Sequence, residues 1–273
     1  MKIGIFDSGY GGLTILEKIV ERLPQYDYIY LGDNARTPYG TRSFEVVYDF
    51  TLQCVKKLFE LDCQIVILAC NTASAKALRT IQQNDLQRIA PNRRVLGVIR
   101  PTTERIGEFT KTNIVGLFGT TGTIQSKSYE LEIAKFFPQI SVISEPCAMW
   151  VPLIENNFHN TSGADFFVKY HIDNILQKNK NIDAIILGCT HYPLLQDKIK
   201  KYLPKNIKII NQGSIIAESF ADYLNRHPEQ EKLCSKNGKI EFFTTESSEK
   251  FRSSASIFLN KNIDAKKILI FNC

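Results

Sequence analysis

Two stretches of the chain place a thiol at the end of an apolar run and beside small polar groups. They are ILACNTASA (67–75), where Cys70 precedes Asn71 and Thr72, and ILGCTHYPL (186–194), where Cys189 precedes Thr190 and His191. An unperturbed cysteine ionises near pH ~8.5, so a thiol acting as a base at neutral pH needs help from its surroundings. A following helix start supplies partial positive charge and free N–H groups, which favour thiolate. Asp7 is a candidate to take or relay a proton near Cys70, and His191 near Cys189. If the loops that carry them face each other, the two thiols line opposite walls of one cleft.

Other chemistry fits these residues less well. Cys70, Cys189 and His191 include no CxxC pair and no closed four-ligand set, so no metal site is expected. The spacing is not that of a thioredoxin-like redox pair. A single cysteine as an acyl-transfer nucleophile is open as an alternative, but it leaves the second thiol without a role. The glycines of DSGYGG (7–12) match neither GxGxxG nor a P-loop, and suggest a tight strand-to-helix turn whose N–H groups face an anionic ligand.

The elements that would carry these groups alternate throughout. KIGIF (2–6), YIYLG (28–32), QIVILAC (64–70), RVLGVI (94–99), NIVGLFG (113–119), ISVIS (140–144), DAIILGC (183–189), KIIN (208–211), KIEFF (239–243) and KILIF (267–271) read as strands. Between them lie amphipathic stretches, such as 11–23 with Leu13, Leu16, Ile19, Val20 and Leu23 on one face, 43–61, 71–83 capped by Asn71 or Thr72, and 163–178. A helix whose first turn holds Pro193 is expected after Cys189. The alternation predicts α/β architecture with mostly parallel sheets. IGIFDSG (3–9) is echoed by VGLFGTTG (115–122), and the two cysteine strands echo each other at a similar separation, so two α/β units of like build are expected. In such sheets ligands sit beyond the carboxyl ends of the strands. Those loops hold Asp7 and Ser8, Asp33 to Gly40, Cys70 to Thr72, Thr120 and Thr121, and Cys189 to His191.

With 273 residues, 44% apolar and 23% charged, the chain can bury a substantial core. The net charge of +6 is scattered, with KIKKYLPKNIK (198–208) as its densest stretch. No nucleic-acid face is expected from that pattern. No apolar run approaches membrane-spanning length, and MKIGIFDSG enters a strand directly rather than a signal peptide. The seven cysteines then read as thiols in a reducing cytoplasm. Cys54, Cys63, Cys147, Cys234 and Cys273 read as packing or surface thiols, and His159, His171 and His227 as solvated. Trp150 reads as core or inter-unit packing.

The motifs FDSGYGGL, GDNARTPYGTRS, ACNTASA, LGVI followed by Pro101, GTTGTI, VPLIE and LGCTHYPLL occur in the order and spacing of the glutamate racemases. On these motifs the chain resembles the cofactor-independent aspartate/glutamate racemase superfamily from residue 3 to about 225. The resemblance implies two pseudo-symmetric α/β domains, 1–97 plus 210–273 and 98–209, with the active site between them. It implies interconversion of L- and D-glutamate without a cofactor, supplying D-glutamate for peptidoglycan, in a cytoplasmic homodimer. By the same resemblance Cys70 is the base for D-glutamate and Cys189 the base for L-glutamate. Asp7 and His191 would assist the thiols, and Glu155 would also serve catalysis. Asp7, Ser8, Tyr39, Gly40, Asn71, Thr72, Thr121, Thr190 and His191 match substrate-binding positions. Asn71, Thr72 and Thr190 suit the α-carboxylate, and the loop at Tyr39 and Gly40 the side-chain carboxylate.

Two departures stand out. Arg100 replaces the glutamate usual after VI, and Asn211–Gln212 replaces an aspartate- or serine-containing stretch; neither coincides with a matched catalytic position. Aspartate as substrate, or a two-domain amino-acid-binding module without chemistry, are the competing readings.

Overall fold

The computed structural model describes residues 1–259 and 263–270. Among them, ten strands form two parallel sheets. The first holds six strands in the order β10-β9-β2-β1-β3-β4, and the second four in the order β6-β5-β7-β8. Their ranges are β1 Lys2–Asp7, β2 Tyr28–Gly32, β3 Cys63–Leu68, β4 Arg94–Gly97, β5 Ile114–Gly119, β6 Ser141–Pro146, β7 Ala184–Gly188, β8 Lys208–Ile210, β9 Ile240–Thr244 and β10 Lys266–Lys267. The order 2-1-3-4 in one sheet is repeated as 6-5-7-8 in the other, so the strands preceding Cys70 and Cys189 occupy equivalent places.

Central strands β2, β3 and β7 are buried along their whole length, which is why they read as unbroken apolar runs. The edge strand β6 is only partly covered and tolerates Ser141 and Ser144. Helices cover the faces. Ser43 starts the helix Phe44–Glu60 by accepting the Val46 N–H, and Val47, Thr51, Cys54, Val55 and Leu58 form its buried side. The helix Gln212–Arg226 follows β8 and packs along Leu13–Arg22, returning the chain to the first sheet. Its Glu218 carboxylate accepts from Arg22 at 2.9 Å.

Several local expectations change. The stretch after Cys70 is helical to Ile89, but a π turn at Ile81–Asp85 interrupts it. The stretch after Cys189 forms a 3-10 turn, Tyr192–Leu195, before the helix Gln196–Tyr202. KILIF contributes only Lys267 to β10, with the Ile268 N–H still bonded to the Thr244 carbonyl; Phe271 and Cys273 lie outside the described residues. His171 is not solvated: it is buried, with Nδ1 2.8 Å from the Glu145 carboxylate. Cys54, Cys63, Cys147 and Cys234 are buried packing thiols. Among the described residues, no helix is long and apolar enough to cross a membrane.

Trp150 is fully buried within the second unit, its ring packed against Phe118 at 4.9 Å and edge-on to Tyr192 at 4.8 Å. It begins the short helix Trp150–Glu155, so its packing fixes where Glu155 stands. Truncation by Trp150→Ala is expected to destabilise the protein by about 3–5 kcal/mol in urea unfolding, the usual cost of emptying a large aromatic site. A loss below about 1 kcal/mol would contradict this packing role.

Candidate active site

The carboxyl ends of both sheets supply the walls of one cleft. Its lining includes Ser8, Tyr39, Gly40, Cys70, Asn71 and Thr72 from the first unit, and Thr120, Thr121, Cys189, Thr190 and His191 from the second. Pro38, Val151 and Pro152 add apolar surface. Parallel sheets make this possible because every strand ends on the same side, so chemically active loops gather there.

Cys70 occupies the N-cap of the helix Asn71–Lys76, and its Sγ accepts the Ala73 N–H at 3.5 Å. The cap is therefore the thiol itself rather than Asn71 or Thr72. The side chain within hydrogen-bonding distance is Ser8, whose Oγ lies 3.3 Å from Cys70 Sγ. Burial pushes the Cys70 thiol up to about 12, and the nearby Asp7 carboxylate adds to the rise. The Ser8 hydroxyl and Ala73 N–H act in the other direction without prevailing. The helix start favours the thiolate through the Ala73 N–H, as expected, but desolvation outweighs it.

Cys189 has a different setting. A 3-10 turn follows it, and the helix-start argument does not transfer because His191, not the cysteine, precedes that turn. Instead Cys189 Sγ lies 3.8 Å from His191 Nδ1, while His191 Nε2 lies 3.0 Å from Glu155 Oε1. Burial opposes the charged imidazole, but contact with Cys189 and Glu155 outweighs it and raises His191 well above the ordinary histidine range. Phe258 stands edge-on to the imidazole at 5.3 Å and closes its outer side.

Asp7 is fully buried and, besides lying near Cys70, reaches the residue that follows Cys189. Its carboxylate accepts from Gly9 N at 3.0 Å and from Thr190 Oγ at 3.5 Å. Burial raises Asp7 above its usual range, against the pull of His191 and the Gly9 and Gly12 N–H groups. A side chain at Gly11 would collide with His191 and Thr190, its Cβ falling 2.4 Å from His191 Nδ1, so the turn after β1 needs glycine for this close approach.

Hydroxyls join the units across the cleft. Thr72 Oγ lies 2.9 Å from Thr120 Oγ and 3.3 Å from Thr123 Oγ, and the Gly122 N–H donates to the Gly40 carbonyl at 2.7 Å. Thr121 lines the cleft beside them. Tyr39 also lines it, but its hydroxyl donates to the buried Asp33 carboxylate, so this residue offers the cleft its ring and backbone rather than a free hydroxyl. Arg100 lies away on the surface, paired with Glu104 at 2.7 Å. No group of three or more His, Cys, Asp or Glu side chains among the described residues is placed to hold a metal ion.

A sequence profile of Asp/Glu/Hydantoin racemases matches residues 3–219, most of the chain. The chain belongs to the Asp/Glu/Hydantoin racemase family. Among its racemase relatives, the glutamate racemase of Roseobacter denitrificans is 38% identical over 97% of this chain and 98% of its own. A glutamate racemase isoform from Bacillus anthracis superposes with a TM-score of 0.88 at 34% identity, covering 98% of this chain and 97% of that one. The glutamate racemase of Francisella tularensis, solved with D-glutamate, superposes with a TM-score of 0.86 at 34% identity, with 98% and 97% coverage. The two-sheet α/β architecture of this chain is that of these racemases.

Three contributors to the site escaped the sequence. Thr123, Tyr129 and Phe258 touch lining residues through tertiary contacts, those of Tyr129 and Phe258 announced by no spacing. Thr123 alone carried a signal, since it lies one helical turn from Thr120, whose side chain caps the following helix.

The raised Cys70 makes a direct prediction. With its folded-state value near 12 it is neutral at pH 7, and its thiolate fraction grows about tenfold per pH unit below that value. Iodoacetamide labelling of Cys70, followed by peptide mass spectrometry, should stay slow at neutral pH and climb steadily into the alkaline range. Labelling that levels off below pH ~9 would show that the thiol is already ionised there.

Proposed function

We propose that the protein is a glutamate racemase that inverts Cα by two-cysteine proton transfer. The observation that carries this reading is the presence of two differently supported thiols, Cys70 and Cys189, in the lining of one cleft closed by both units. The names of the relatives, and the D-glutamate in one of them, supply the substrate. We read the chain as two domains, 1–97 plus 210–273 and 98–209, although β8 carries the second sheet to Ile210.

In the L to D direction, Cys189 as thiolate takes the α-proton and Cys70 as thiol gives its proton to the opposite face. One C–H bond breaks, another forms, and the two cysteines exchange protonation states. The reaction consumes no electrons and no co-reactant, and solvent proton exchange resets the pair. His191, held by Glu155, stabilises the Cys189 thiolate; Ser8 orients the Cys70 sulfur. Asn71, Thr72, Thr121 and Thr190 offer neutral hydrogen-bond donors to substrate carboxylate, and the backbone at Tyr39 and Gly40 faces the far end of the molecule. Such fixed dipoles stabilise developing negative charge because they need no reorganisation during proton removal. Holding both bases in place removes the need for one base to cross the substrate plane. The product would supply D-glutamate to peptidoglycan synthesis in the cytoplasm, with the enzyme acting as a homodimer.

Circular dichroism of L-glutamate with purified protein and no added cofactor should decay to zero ellipticity. Cys70→Ser and Cys189→Ser should each lower that rate by about 10³-fold or more, and Glu155→Gln by about tenfold through weaker support of His191. Full activity in either serine variant would remove the two-thiol mechanism. Faster racemisation of aspartate than of glutamate, assayed side by side, would overturn the choice of substrate.

A further inference from the structure

Asn71 combines two features that demand explanation together. Its amide nitrogen Nδ2 is buried and without a hydrogen-bond partner, in a residue that lines the cleft. Its amide oxygen Oδ1 accepts a hydrogen bond of 2.6 Å from the Tyr129 hydroxyl, which comes from the other unit. Tyr129 is itself fully buried, on the helix Ser128–Phe136, and its hydroxyl accepts from Gln212 Nε2 at 2.7 Å. Gln212 opens the helix Gln212–Arg226 and also donates toward Thr102 Oγ at 3.0 Å and the Val98 carbonyl at 3.3 Å.

The direction of this chain of bonds is fixed by chemistry. Gln212 Nε2 can only donate, so the Tyr129 oxygen accepts there and its single proton points to Asn71. Asn71 Oδ1 can only accept, so the amide cannot rotate by half a turn without losing that bond. The result is an amide locked with its two N–H donors free, in a buried place where an unpaired donor is costly. A ligand carboxylate in the cleft is the group that would satisfy it.

Resting on the racemase reading above, we propose that Gln212 and Tyr129 are positioning residues that lock the Asn71 amide with its N–H donors toward the substrate carboxylate. Three segments take part: Asn71 after β3, Tyr129 on a helix of the second unit, and Gln212 where the chain crosses back. The relay therefore also ties the orientation of a substrate contact to the relative placement of the two units. Gln212, which coincides with no matched catalytic position, reaches the site in two hydrogen bonds.

The test uses the full-length protein with Tyr129→Phe, Gln212→Met and the double variant, measuring kcat and KM for both enantiomers together with thermal midpoints. Loss of one lock in a buried site should raise KM about tenfold in Tyr129→Phe, with kcat within about threefold of wild type. Gln212→Met should raise KM by about threefold, and the double variant should be no worse than Tyr129→Phe, because Gln212 acts through the tyrosine hydroxyl. A purely structural role would lower the thermal midpoint and leave KM alone. KM within about twofold of wild type in Tyr129→Phe, or multiplied effects in the double variant, would overturn the relay. Absence of racemisation by the wild-type protein would overturn the proposed function instead; calorimetric D-glutamate binding then reads the relay, supported by weaker binding in Tyr129→Phe and refuted by equal binding. A wild-type chain that binds no glutamate would overturn both.

Discussion

In the proposed reaction an acceptor and a donor face each other across the stereocentre, which spares a single base from crossing the substrate plane. That requirement accounts for a chain built of two like units. A single sheet presents its strand-end loops on one side of a ligand. Two sheets of the same strand order, 2-1-3-4 and 6-5-7-8, supply a second set of loops, and the thiols follow equivalent strands. The joint between them is made of close, specific contacts: the Thr72 hydroxyl with those of Thr120 and Thr123, the Gly122 to Gly40 backbone bond, and the Asp7 contact with Thr190. Each fixes the position of one wall relative to the other.

The two walls are equivalent in topology and unlike in electrostatics. Cys70 sits beside a hydroxyl and near a carboxylate, in a buried place that holds its proton. Cys189 sits beside an imidazole that a second carboxylate keeps charged. In the proposed reaction this difference has a thermodynamic limit. Enantiomers are equal in free energy, so kcat/KM must be the same in both directions. An unequal pair of thiols can therefore change kcat and KM separately but never their ratio between directions. What the inequality does provide is a different neighbour for each sulfur, a hydroxyl at Cys70 and an imidazole at Cys189.

The alternation of apolar runs with amphipathic stretches was enough to read parallel α/β sheets, because fully covered strands such as β3 and β7 have no polar face to blur the pattern. The cysteines were legible for a similar reason: each ends such a run and opens a polar loop. Their environments were not. That Ser8 rather than Asp7 would lie against Cys70 depends on how the turn after β1 folds over, within a space that glycines at 11 and 12 leave open. That a 3-10 turn would follow Cys189 was hidden by Pro193, which is compatible with either kind of helical start. The burial of His171 and the Gln212–Tyr129–Asn71 chain arise from contacts between residues far apart in sequence, which local patterns do not encode.

The central claim, opposed bases on the two walls, is tested most directly by the first turnover of L-glutamate in deuterium oxide. At low conversion, two bases predict D-glutamate carrying deuterium at Cα and recovered L-glutamate carrying almost none, since the proton taken by one sulfur is not the one returned by the other. Deuterium appearing equally in product and recovered substrate, or product that retains the original hydrogen, would place a single base at the carbon and contradict the account.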